Sequence, residues 1–205
     1  MRRLLVGVGI AGVAIGGALA QNRHDLDRAV LDKAIKDSWQ QAAPDWQQRL
    51  VQDATQAACS LYRNNPPPAV AATITAREKA SIKYPVDGKM LGDWKKGEKL
   101  AQSGYGMRFT DYPPRAENGG NCFACHQLDP KELSYGTLGP SLTAYGKNRD
   151  FAPAEVKAVY ERIYNPQAVV ACANMPRMGA SGFLSLEQIA DLTAYVMSPE
   201  SPVNK

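Results

Sequence analysis

The chain of 205 residues carries 24 lysines and arginines against 20 aspartates and glutamates, which leaves a formal net charge of only +4. It contains no stripe of basic residues, so the composition gives no reason to expect a nucleic-acid-binding protein. The length is sufficient for a buried core with further segments around it.

The N-terminus has the pattern of a secretory signal peptide. Arg2 and Arg3 precede an uncharged apolar run at residues 4–19, and Ala18 and Ala20 supply the small residues that a signal peptidase accepts. We therefore predict cleavage after Ala20 and export to the periplasm. An uncleaved anchor is the alternative, but the run is shorter than the roughly 20 residues that span a bilayer, so no membrane attachment is expected after cleavage.

The first part of the exported chain is predicted to be helical. Residues 24–42 and 45–62 have helical character and are separated at Pro44. In the second segment apolar residues recur at steps of three and four, and Asp45 with Gln48 resembles a capping box. We expect the two helices to form a helical hairpin that packs on the main domain as an extension.

A connector is predicted to follow this hairpin. Residues 69–92 show little periodicity and contain a proline and two glycines, which is typical of extended chain. The sequence thus divides into a signal peptide at residues 1–20, an extension with its connector at residues 21–89, and a main domain at residues 90–205.

The main domain is predicted to contain three helices and a long loop. A helix begins near Asp93, and residues 104–121 form a loop rich in glycine, proline, tyrosine and asparagine. Further helices are predicted at residues 153–164 and 185–197. Gly97 lies inside the first helix, where glycine costs about 1 kcal/mol relative to alanine, so it should have a packing reason. Because strand signals are weak throughout, the predicted fold class is all-α.

Cys122, Cys125 and His126 form a Cys-x-x-Cys-His motif. Two thiols at this spacing can add across the two vinyl groups of haem, and the adjacent histidine is then aimed at the iron. A zinc site would need further ligands, and His24 is the only other histidine of the sequence. A thioredoxin-like redox pair would be accompanied by a βαβ pattern, which the sequence lacks. The motif therefore favours one covalently bound haem c.

Two further cysteines, Cys59 and Cys172, are not used by this motif. In an exported protein the simplest prediction is a disulfide between them, because the compartment is oxidising. Closing so long a loop is worth about 4 kcal/mol in the chain-entropy description. Free, buried or reactive thiols are the alternative.

The order of these features resembles that of a class I cytochrome c over residues 90–198. The resemblance implies that the first and last helices of the domain cross closely, with Gly97 against Tyr195. It also implies that the carbonyl of Pro140 accepts a hydrogen bond from the outer nitrogen of His126 and so orients the ring.

A narrower resemblance is to the SoxX family, the monohaem subunits of the SoxXA cytochromes of thiosulfate-oxidising bacteria. It depends on the sequences GNCFACHQ at 120–127, YGTLGPSL at 135–142, YGK at 145–147, IYN at 163–165 and ACANMPRMG at 171–179. The resemblance implies that the chain forms a heterodimer with SoxA and that the complex interacts transiently with the SoxYZ carrier. It also implies that a soluble cytochrome c is the electron acceptor. The N-terminal helical extension is absent from the shortest members of this family, so the resemblance implies no role for it.

The sixth iron ligand is predicted to be Met175, which precedes a proline in the loop before the last helix. In the resembling family the methionine directly before a proline ligates. Met178 is the main alternative as sixth ligand, and Met107, in the loop before the motif, is a weaker one. His24 is not favoured because it lies far from the motif in the sequence. Methionines also serve as core filler, which is the alternative for each of them.

A histidine–methionine pair favours electron transfer over catalysis, because the sixth site is filled and the thioether raises the reduction potential. The ligand pair therefore predicts a non-catalytic electron-transfer subunit, and the resemblance implies that catalysis takes place in SoxA. A free-standing periplasmic electron carrier and a monohaem enzyme, such as a peroxidase or nitrite reductase, are the alternatives. Arg149, Arg177 and Tyr145 are either donors to the haem propionates or ordinary surface residues.

Overall fold

The structure, a computed structural model, describes residues 28–40 and 50–205. Its six α-helices within these ranges are α1 (Arg28–Ser38), α2 (Ala54–Leu61), α3 (Pro68–Ala80), α4 (Trp94–Gln102), α5 (Pro153–Tyr164) and α6 (Leu186–Met197). The described ranges contain no strand, which confirms the all-α class. Helix α1 belongs to a first unit that ends at Gln41, and the other helices belong to a second unit, residues 42–205. None of the described helices combines the length and apolar character that crossing a bilayer requires.

Helices α4 and α6 cross at close range through Gly97. A Cβ atom on Gly97 would lie 2.6 Å from the carbonyl carbon of Asp191 and 2.9 Å from the Cβ of Tyr195. Only glycine therefore fits at this point of the crossing, and the packing reason predicted for Gly97 is confirmed.

The main core is built on this crossing. Helix α5 packs against α6 as well. The largest fully buried side chains of this core are Tyr160, Tyr195, Leu128, Ile189, Met197 and Val203. A core that surrounds α6 on several sides explains why nine of its twelve residues, Ile189 to Met197, are buried.

The start of α2 differs from the prediction. The helix begins at Ala54, not at residue 45, and Asp53 and Gln56 form a capping box in which each side chain accepts a hydrogen bond from the backbone N–H of the other. The predicted cap at Asp45 and the break at Pro44 lie outside the described residues, as do the signal peptide and His24.

The predicted connector was wrong over its first half, because residues 68–80 form helix α3. Pro68 occupies the first turn, where its missing N–H is harmless, and five alanines favour the helix. Only Ile74 and Glu78 are buried on it, so a search for apolar periodicity had little to detect.

Helices α2 and α3 contact each other through side chains, and we call residues 54–80, which contain both helices, the extension hairpin. Their contact is a small second core of Cys59, Ile74 and Cys172, with Ala58 and Val70 against it. Because Cys172 lies between α5 and α6, this core joins the extension hairpin to the main domain.

Candidate functional site

The Cys-x-x-Cys-His motif forms a tight turn. Residues Cys122–Ala124 are a 3-10 turn, and Asn121 before it adopts a left-handed conformation with φ of 49°. The backbone N–H groups of Cys125 and His126 both donate to the carbonyl of Cys122, at 3.1 and 2.9 Å. The two thiols and the imidazole are thus presented by one turn of backbone.

The motif is attached to the C-terminal end of α4. Gly120 donates its backbone N–H to the carbonyl of Leu100 at 2.7 Å, and Asn121 donates to that of Ser103 at 2.9 Å. A Cβ on Gly120 would lie 3.1 Å from the Cys122 sulfur, so a larger residue would crowd the thiol. The helix crossing therefore also determines where the motif sits.

The ring of His126 is fixed from the side of its Nδ1 atom. That nitrogen lies 2.8 Å from the carbonyl oxygen of Pro140, which can only accept, so Nδ1 carries the proton and donates. This leaves Nε2 as the ring nitrogen that is available to bind a metal.

Two glycines that the sequence analysis did not single out make room for this arrangement. A Cβ on Gly139 would lie 2.6 Å from Nε2 of His126, and a Cβ on Gly136 would lie 2.6 Å from the carbonyl carbon of Ala124. Each glycine also donates to the motif, Gly136 to Phe123 and Gly139 to Cys125, both at 2.8 Å. The sequence signal for this arrangement was the presence of two glycines three residues apart in the segment that follows the motif.

The chemical character of the site fits haem c. Burial raises the pKa of the Cys122 thiol to about 12, and Cys125 adds to the rise, so this sulfur is not ionised at neutral pH. Burial, followed by the negative charge of Glu98, also raises the pKa of Tyr195. The Tyr195 hydroxyl is fully buried without a hydrogen-bond partner among the described residues. Such an orphaned donor is costly, and a polar group of a bound cofactor would satisfy it.

The candidate sixth ligands differ in burial. Met178 is 6 % exposed and belongs to the main core, and Met107 is partly buried against that core. Met175 is half-buried and belongs to neither apolar cluster. The assignment of Met175 stays a prediction, and its exposure is compatible with a side chain that packs on something other than the protein's own core.

The remaining two cysteines are bonded to each other. The sulfurs of Cys59 and Cys172 form a disulfide with the Cα atoms 5.4 Å apart, 113 residues apart in sequence. Both side chains are buried. The bond joins α2 to the segment that contains Met175.

The three polar residues considered for the propionates have partners within the chain. The guanidinium of Arg149 lies over the ring of Tyr145 at 3.6 Å and pairs with Glu155 at 3.3 Å. Arg177 pairs with Asp53 at 2.5 Å and with Glu78 at 3.3 Å. Arg177 therefore serves the extension hairpin, a role that the sequence did not suggest.

Comparison with known proteins agrees with this geometry. The family described as cytochrome c matches residues 115–199, which include the motif, Pro140, Met175 and Met178. A protein of Aquifex aeolicus (strain VF5), named an uncharacterized lipoprotein, is 44 % identical over 155 residues. That alignment covers 75 % of this chain and 73 % of the relative.

Proposed function

Residues 115–199 of this chain match the cytochrome c family, and from that premise we propose that the chain is the electron-transfer subunit of a SoxXA-type cytochrome. As a c-type cytochrome it is an electron-transfer protein that holds haem c covalently. The proposal assigns it a single haem, because the sequence has one Cys-x-x-Cys-His motif.

Each residue of the site has a role in this proposal. Cys122 and Cys125 hold the haem through thioether bonds, His126 binds the iron through Nε2, and the Pro140 carbonyl keeps the ring in one orientation. Met175 is the sixth ligand. When bound, haem supplies an iron that changes its charge by one unit. A fixed imidazole and a thioether reduce the rearrangement that accompanies this change and favour the reduced state.

The observation that carries the proposal is the 2.8 Å hydrogen bond between His126 and Pro140. A ring locked in this way keeps one ligand in place in both oxidation states, as an electron carrier requires. The proposal also uses Leu138, which is 90 % exposed and precedes Gly139, the residue that donates to Cys125 of the motif. We take this exposed apolar side chain as part of the surface that meets another protein.

The SoxXA assignment is supported by the sequence resemblance of residues 120–147 and 163–179. In the proposed reaction SoxA joins the terminal sulfur of thiosulfate to the SoxY cysteine of SoxYZ. A sulfur–sulfur bond forms, the thiol proton is released and two electrons leave. This chain receives those electrons one at a time from SoxA and passes them to a soluble cytochrome c.

We place this reaction in the periplasm. The support is the signal-peptide pattern of residues 1–20 and the disulfide between Cys59 and Cys172, since such bonds persist in oxidising compartments. The Aquifex relative is named a lipoprotein.

The test is purification of the chain from the periplasm of its thiosulfate-grown native host under non-denaturing conditions, followed by intact mass analysis. We expect a second haem polypeptide in a one-to-one ratio. The reconstituted pair should become reduced on addition of thiosulfate with SoxYZ, but not when SoxYZ is omitted. A lone haem protein that accepts no electrons under these conditions would overturn the SoxXA assignment and leave a free-standing electron carrier.

A further inference from the structure

The segment that contains Met175 is tied to the extension hairpin on both sides. Three residues before it, Cys172 is bonded to Cys59 of α2. Two residues after it, Arg177 donates to a carboxylate oxygen of Asp53 at 2.5 Å, at the start of the same helix. These two anchors lie five residues apart, one on each side of the predicted ligand, and both connect to the extension hairpin. We call residues 172–177 the bracketed segment.

Glu78 of α3 is the buried centre of the second anchor. The residue is only 6 % exposed. One carboxylate oxygen accepts from the Thr55 hydroxyl, and the other accepts from Asn165 at 2.7 Å and from Arg177 at 3.3 Å. A buried carboxylate with this many donors stays charged and holds each donor in place, because an unpaired one would be costly.

The bracketed segment has little structure of its own. It lies between the turn Pro166–Ala168 and helix α6. Within the described chain, no backbone N–H group from residue 174 to residue 178 donates to another backbone group. The carbonyl of Arg177 accepts from the N–H of Ser181 at 3.0 Å, and the N–H groups of Gly179 and Ala180 donate to the carbonyl of Tyr164 at 3.0 and 3.1 Å. Between Ala173 and Arg177, where Met175 lies, the described anchors are therefore those of side chains.

We propose that the extension hairpin is a clamp for the sixth iron ligand, in which Glu78 and Arg177 are positioning residues that keep the Met175 thioether on the iron. This inference rests on the histidine–methionine ligation of the proposed function. It gives α2 and α3 a role in the site although neither carries a ligand. Loosening the clamp leaves the haem attached but lets the methionine leave, so that a small external ligand can take its place.

The test is Glu78→Gln in the haem-loaded protein, compared with Asp191→Asn as the matched control. Asp191 is also a buried carboxylate, 4 % exposed, but it accepts from the backbone of Asp93 at the helix crossing and does not touch the bracketed segment. Imidazole is titrated into each ferric protein, and the thioether-to-iron band at the red end of the spectrum is recorded. Urea unfolding is measured on the same samples.

We expect Glu78→Gln to raise the apparent affinity for imidazole by about tenfold and to weaken the red band, a size typical of coupling between two sites. The control should stay within about twofold, whatever its loss of global stability. Equal imidazole affinities in wild type and Glu78→Gln would overturn the clamp, even if the variant unfolds more easily.

Asp53→Asn provides a second variant that retains the fold. Asp53 is 49 % exposed, and asparagine caps a helix as well as aspartate does, so only the pairing with Arg177 is weakened. An increase in imidazole affinity here, together with that of Glu78→Gln, supports the clamp, and an unchanged affinity here would show that the pairing of Asp53 with Arg177 is no part of it.

Failure of the underlying ligation is recognised separately. Met175→Ala must abolish the red band, with Met178→Ala as its control. A band that survives Met175→Ala, or is absent from wild type, overturns the ligand assignment itself and with it the clamp.

Discussion

Gly97 of α4 lies directly against the backbone of Asp191 in α6, and this contact sets how closely the two helices approach. The motif is hydrogen-bonded to Leu100 and Ser103 at the end of α4. The same contact therefore determines the position of the haem-binding turn relative to α6.

Gly97→Ala should therefore destabilise the protein, although alanine is the better helix former. The added Cβ would meet backbone, which cannot move aside as a flexible side chain can, and overpacking costs about 1–3 kcal/mol. The measurement is the free energy of unfolding in urea. Lys95→Ala, at an exposed position of the same helix, is the control and should change it by less than about 0.5 kcal/mol. A Gly97→Ala variant more stable than wild type would contradict the close approach of α4 and α6 at this residue.

Gly139→Ala should disturb His126 without disturbing the fold elsewhere. The new Cβ would fall among the ring atoms of the histidine, so the ring must turn away from the Pro140 carbonyl. We expect poor haem loading and a lowered reduction potential in the fraction that loads, measured by haem staining and redox titration. Ser141→Ala, at an exposed neighbouring position, should behave as wild type. Normal loading and potential in Gly139→Ala would show that the ring is not held as described.

The disulfide should make a large contribution to stability. The Cys59→Ala, Cys172→Ala double variant is expected to lose about 4–5 kcal/mol of unfolding free energy, because the bond closes a loop of more than a hundred residues. Intact mass analysis of denatured wild type, before and after reduction, should show a gain of two hydrogens. An unchanged mass would mean that the thiols are not bonded.

Glu78 should make stability depend on acid pH. Burial raises its pKa, but hydrogen bonds from Thr55 and Asn165 and the charge of Arg177 together hold the pKa below the ordinary 4.5. The unfolded chain therefore takes up the proton first. The stabilisation is complete above about pH 4.5 and is lost as the pH falls through the lower folded pKa.

We accordingly expect the unfolding free energy of wild type to fall more steeply below pH 4.5 than that of Glu78→Gln, whose amide does not titrate. Urea unfolding at a series of pH values measures the two slopes. Parallel curves for the two proteins would mean that Glu78 titrates alike in the folded and unfolded states.

Leu138 should contribute to docking of the electron acceptor. Its exposed side chain lies one residue before Gly139, which is hydrogen-bonded to the motif. Leu138→Glu should slow the second-order reaction with a soluble cytochrome c by about tenfold, while the spectrum and potential stay unchanged. Val86→Glu, an equally exposed apolar position of the connector, is the control for the added charge. Equal rates for the two variants would place the docking surface elsewhere.

The helices of the main domain could be predicted because their ends are marked locally. Asp93 and Ser185 cap α4 and α6 by accepting from backbone N–H groups two and three residues later, and Pro153 opens α5. Helix α2 was placed too early because Asp45 with Gln48 and Asp53 with Gln56 present the same capping pattern. Local sequence does not tell two such signals apart.

The support of the site was harder to predict than its motif. Cys122, Cys125 and His126 are contiguous, so their chemistry is visible in five residues. Glu78 looks like an ordinary surface residue of an alanine-rich stretch. Its partners Thr55, Asn165 and Arg177 lie 23, 87 and 99 residues away, so its burial depends on the complete fold.

The disulfide encloses the haem motif in sequence, and this has a consequence for biogenesis. In the proposed export from the N-terminus, Cys59 would emerge first and next meet Cys122 and Cys125, whereas its native partner Cys172 would emerge last. The earliest thiol pairings open to an oxidant are thus all non-native, and each consumes a sulfur that haem requires. Haem attachment removes both competing thiols, after which Cys59 and Cys172 are the only two left in the sequence. The order in which the two kinds of covalent bond form therefore decides whether the chain matures or is trapped.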